Sequence, residues 1–128
     1  MSYYFAKTVE ENFENSEIKV KELLKQQGFG VLTEIDVQAT LKMKLNADFR
    51  KYNILGACNP PFAYKALLSE GKIGLMLPCN VVIQETGNGF TEVAVIDPLA
   101  SMSAVQNESL SDVAVQIQHK LKAVIDML

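Results

Sequence analysis

The sequence predicts an α+β fold of two layers, a mixed β-sheet of about five strands with helices packed mainly on one face. Three observations carry this expectation. Stretches of helical period are interspersed with short β-branched runs, one Asn-Gly pair joins two such runs as a hairpin, and Gly or Pro stands at several of the boundaries.

Residues 2–9, with Tyr3, Phe5 and Val9, read as a first strand. Residues 11–27 read as a helix, because Phe13, Ile18, Val20, Leu23 and Leu24 recur near helical spacing among Glu and Lys. Gly28 suits the left-handed position that ends it. Gly30–Asp36 reads as a strand and residues 37–46 as a shorter helix carrying Leu41, Met43 and Leu45. Lys51–Ala57 reads as a strand running into Cys58. Asn59 then suits an N-cap, with Pro60 at the first helical position, where a missing N–H costs nothing. That helix stops near Gly71, and Ile73–Leu77 is a short apolar run. Val81–Ile83 opens a hairpin whose Asn88-Gly89 turn supplies two positive φ angles, and Thr91–Asp97 returns. Residues 98–108 read as loop. Ser109 or Ser111 is the expected cap of a last helix, with Val113, Ile117, Leu121, Val124 and Leu128 as its apolar stripe.

The 128 residues are expected to form one domain, 1–128. Apolar residues make up 48% and charged residues 21%, an ordinary globular balance. The net charge of -3 and the absence of a Lys/Arg stripe interleaved with aromatics argue against a nucleic-acid partner. The local basic excess from Lys42 to Lys51 reads as a solvated helix face. No apolar run approaches the ~18 residues of a membrane span. The N-terminus lacks the basic segment and apolar run of a signal peptide, so a cytoplasmic address with both cysteines as thiols is expected.

The most informative motif is Gly56-Ala57-Cys58-Asn59-Pro60, echoed by Leu77-Pro78-Cys79-Asn80. With Gly28-Phe29-Gly30, Glu34-Ile35-Asp36, Ile54-Leu55, Gly74-Leu75-Met76, Val81-Val82 and Asp97-Pro98, it resembles domain-of-unknown-function family 302. The resemblance covers nearly the whole chain. It implies a small two-layer α+β fold with a mixed sheet, often dimeric, and no established activity.

Several chemistries are open to these residues. Cys58, next to a helix start, could be a thiol of lowered pKa or a small buried hydrophobe. Pro60 and Pro61 weaken the first reading by removing N–H groups from the helix end. Cys79 follows Pro78 and has no helix dipole to help it. Antiparallel neighbouring strands would bring the two thiols close, whereas parallel strands would hold them ~17 Å apart. Asn59 and Asn80 could bind a ligand or shape the chain, and Tyr64 could line the same pocket or simply pack. Glu34 and Asp36 read as a solvated edge, or Asp36 as a cap. His119 reads as solvent-facing, and two separated cysteines with one histidine do not make a metal site. No cofactor motif is present. The leading expectation is a ligand-binding or regulatory module, a homodimer with a small-molecule pocket around Cys58, Asn59, Tyr64, Cys79 and Asn80. The alternatives are a thiol-dependent redox or sulfur-transfer enzyme using Cys58 and Cys79, and a structural dimer with buried cysteines.

Overall fold

The structure, a computed structural model, describes residues 2–128. Five strands form one sheet: β1 (Tyr4–Val9), β2 (Gly30–Asp36), β3 (Tyr52–Cys58), β4 (Cys79–Gly87) and β5 (Phe90–Ile96). Their spatial order is β1-β5-β4-β3-β2. Every pairing is antiparallel, which corrects the expected mixed sheet. The reason lies between β3 and β4. Helix α3 (Pro60–Ser69) leaves the end of β3, and a 3-10 turn at Ile73–Met76 helps carry the chain back to the same end, where Ala57 pairs with Cys79. The excursion is therefore a long hairpin and not a crossover.

Alternation gives the sheet two different faces. Leu55, Ala57, Cys79, Val81, Ile83, Val93 and Val95 are buried on one of them. Over that face lie helices α1 (Phe13–Gln26) and α5 (Glu108–Asp126). Helix α1 contributes Val20, Leu23 and Leu24, and α5 contributes Ile117, Leu121 and Val124 to a continuous core. Each large side chain fully buried there stabilises the fold by about 1.5–3 kcal/mol. Ile18, expected on the α1 stripe, is 68% exposed. It lies two residues before Val20, which turns it about 200° away around the helix.

Local signals explain most boundaries. The Asn12 side chain accepts the Asn15 N–H at 2.8 Å to start α1. The helix ends at Gly28 with φ +86, where Phe29 N–H reaches the Leu24 carbonyl at 2.9 Å in a Schellman closure. Asp36 caps α2 (Val37–Leu45) by accepting the Ala39 N–H, while Glu34 pairs with Lys21 across to α1. Helix α2 buries none of its side chains, so its apolar residues Met43 and Leu45 stay exposed. Asn88 and Gly89 both take positive φ, as the β4–β5 turn requires. The segment expected as loop contains a short helix, α4 (Pro98–Ser101), started by Asp97. Asn107, and neither Ser109 nor Ser111, caps α5. His119 is exposed, as expected.

Gly56 sits between Thr33 of β2 and Asn80 of β4. A Cβ there would collide with Thr33 Oγ1 and come within 2.7 Å of Pro78 Cγ. Glycine is thus needed for close approach and not for a special φ. Gly56→Ala is expected to destabilise the protein by about 1–3 kcal/mol, as overpacking does. Adding Thr33→Ala should recover part of the loss and leave the Pro78 contact unrelieved. Urea unfolding of the two variants beside the parent checks both.

Candidate functional site

The motif residues converge on one end of the sheet, but only some of them meet. Cys58, Asn59 and Cys79 border a cavity of about 20 Å³ together with Phe29, Ala63 and Ile117. That space is close to the room one water needs. Register sets Ala57 directly across from Cys79, while Cys58, the last residue of β3, pairs with Gly30 of β2. Both thiols are free. Cys79 is 3% exposed and Cys58 half-buried. Burial pushes the Cys79 thiol up to about 11, and the neighbouring Cys58 thiolate charge would add to the rise. Cys79 therefore stays protonated at neutral pH.

Asn59 departs from its expected role as a side-chain cap. It adopts the extended backbone of an N-cap, but its side chain makes no capping hydrogen bond. Instead its buried amide Nδ2 donates to the Gln27 carbonyl at 3.1 Å, fastening the start of α3 to the end of α1. The Nδ2 atom would lie 3.1 Å from a Cβ at position 28, a second reason for glycine there. Tyr64 is 65% exposed on α3 and does not border the cavity, which receives Ala63 instead.

Asn80 goes elsewhere. One step beyond buried Cys79, alternation turns it to the face of the sheet opposite α1 and α5. That face carries three rows across the strands. The central row is apolar: Ile35, Ile54, Val82, Ala94 and Ala6. To one side run Tyr52, Gln84, Glu92 and Thr8; to the other run Thr33, Gly56 and Asn80, with the Ile96–Tyr4 pair completing the row. Over the β4, β5 and β1 side of these rows lies a concavity of about 420 Å³, walled by Tyr3, Tyr4 and Tyr52. That volume falls in the range of small-molecule sites.

Hydrogen bonds order one wall of the groove. Arg50 Nε donates to Gln84 Oε1 at 2.9 Å, and Gln84 Nε2 donates to Glu92 Oε1 at 3.0 Å. The Arg50 guanidinium lies 4.4 Å from the Phe49 ring centroid and 5.6 Å from that of Tyr52. Tyr3 and Tyr4 pack edge to face at 5.0 Å. Among the described residues no group of three or more His, Cys, Asp or Glu side chains is arranged to hold a metal ion. No helix among them is long and apolar enough to cross a membrane.

The sequence reading did not single out Tyr4, Tyr52, Gln84 or Glu92. Their signal was the apolar residue at every second solvent-side position of β3, β4 and β5, which a face exposed only to water does not require.

An open antiparallel sheet with helices on one face and a Gly-Ala-Cys-Asn-Pro corner defines a class of small α+β proteins. The chain belongs to the family described as "Domain of unknown function DUF302", which matches residues 5–128. It is similar to the crystal structure of an uncharacterized conserved DUF302 protein from Bacillus stearothermophilus. The two are 29% identical, with 98% of each chain covered and a TM-score of 0.90. No curated protein matches the chain.

Two outcomes follow for the corner. Asn59→Ala leaves the Gln27 carbonyl without its partner and should cost about 1–3 kcal/mol in urea unfolding. The Cys79 thiol rises from 9.0 in the unfolded chain to about 11 in the fold. Its contribution is therefore complete below pH 9 and lost as pH climbs towards 11. The stability gap between the parent and Cys79→Ala should shrink by on the order of 2 kcal/mol across that window.

Proposed function

We propose that the protein is a ligand-binding or regulatory module whose binding surface is the groove on the sheet face opposite α1 and α5. One observation carries this reading: a concavity of about 420 Å³ combines an apolar floor with three tyrosines and the amides of Asn80 and Gln84. Of the motif residues, Asn80 belongs to this surface. Cys58, Asn59 and Cys79 act at the corner that holds α1, α3 and the sheet together. Their cavity of about 20 Å³ suits packing better than ligand binding. The rise of the Cys79 thiol to about 11 weighs against its use as a resolving thiol, and so against the redox or sulfur-transfer alternative.

A cytoplasmic homodimer fits this reading. The outer edge of β2 is unpaired within the chain, and Leu32 on it is 66% exposed. Such an edge is a template for a second copy, and pairing there leaves the groove over β4, β5 and β1 open. Light scattering after gel filtration should give the mass of two chains for the parent and of one for Leu32→Arg. A single-chain mass for the parent would remove the dimer.

Amide chemical-shift mapping with a library of small fragments tests the groove. Bound fragments are expected to shift Val82, Gln84, Ala94 and Ile96, and Asn80→Ala is expected to weaken them several-fold. Shifts concentrated at residues 58–63 and 77–79 would return the site to the cysteines.

A further inference from the structure

Among the described residues the groove has one charged wall residue, the half-buried Glu92, and no Lys or Arg side chain lines it. Arg50 stands at the edge of the groove, its guanidinium beside the Phe49 and Tyr52 rings and its Nε donating to Gln84 on the wall, and it makes no ion pair with Glu92. Gln84 in turn donates to Glu92. The chain of bonds fixes the orientation of the Gln84 amide, since its oxygen must accept from Arg50 and its nitrogen must face the carboxylate. It thereby holds Glu92 in place at the groove without neutralising it by an ion pair. Tyr52 stands in the row of Glu92 and receives the Arg50 guanidinium, while Tyr3 and Tyr4 wall the groove across the central row. The floor between them is Val82, Ala94 and Ile96.

We propose that the groove binds a small organic cation, a primary or quaternary amine carried on an apolar or aromatic body. The cationic head would lie at Glu92 and the apolar body over the central row towards Tyr3 and Tyr4. This rests on the groove being the binding surface and names the ligand class it takes. A carboxylate held in a partly desolvated groove favours a cation because Coulomb attraction is stronger there than in bulk water. An anionic ligand would meet Glu92 unfavourably, and a neutral one would gain only the floor.

The test uses the full chain and three probes of one shape: 2-phenylethylammonium, 2-phenylethanol and 3-phenylpropionate. Each is titrated against the parent and Glu92→Gln, with amide shifts at Val82, Gln84, Ala94 and Ile96 as readout. Glu92→Gln keeps the size and the acceptor for Gln84 and removes only the charge. The expected result is that the ammonium binds the parent about tenfold or more tightly than the alcohol, and the carboxylate least. In Glu92→Gln that preference should collapse to near equality, while the unchanged spectrum elsewhere reports an intact fold. Equal binding of all three probes at the groove amides, indifferent to Glu92→Gln, would overturn the cation inference and leave the groove standing. A preference for the carboxylate would also overturn it and move the recognition to Arg50. Probe shifts confined to the cysteine corner would overturn the groove reading itself.

Discussion

The register between β3 and β4 governs the rest of the molecule. Once the α3 excursion returns the chain to the end it left, Ala57 must face Cys79 and Gly56 must face Asn80. Side-chain alternation then does two things with no further instruction. It buries Cys79 under α5 and turns Asn80 to the open face, so two Cys-Asn units that look alike in sequence serve opposite sides of one sheet. A slip of a single residue would exchange the faces, burying an amide without a partner and exposing the core stripe. The close approach of Thr33 and Pro78 at Gly56 helps fix that register, because only glycine leaves room for both.

Much of the fold was legible in the sequence. The strands at 30–36 and 91–97, the Asn88-Gly89 turn, the Gly28 stop and the stripe of the last helix all rest on local chemistry that tertiary contacts do not override. The direction of β4 was not legible. A strand, a helix and a strand read the same whether the chain crosses over or doubles back, and the difference lies in how the 3-10 turn and Pro78 carry the return. Ile18 and Met43 show a second limit. An apolar residue near helical spacing need not be buried when the sheet covers only a narrow arc of the helix, or when, as for α2, the helix buries no side chain at all.

The motif residues Cys58, Asn59 and Cys79 meet at one corner for a structural reason. Asn59 was legible as a helix-start residue, yet its amide serves the preceding helix by holding the Gln27 carbonyl. That contact spans 32 positions and has no local signature. The groove was hidden for the opposite reason. It is assembled from unremarkable alternating residues on four strands, and only the strand order β1-β5-β4-β3 brings Tyr4, Glu92, Gln84 and Tyr52 to one surface. In the proposed reading the helix-packed face, with Cys79 in its core, provides stability, and the open face is the surface for recognition.

That division is tested most directly by the alkylation rates of Cys58 and Cys79 in the native protein, followed by mass spectrometry of the two peptides. The account predicts that half-buried Cys58 labels without unfolding, and that Cys79 labels only at the rate at which the protein opens, accelerating with urea. Rapid labelling of Cys79 under native conditions, at a rate indifferent to urea, would mean an accessible reactive thiol and would contradict the assignment of Cys79 to the core.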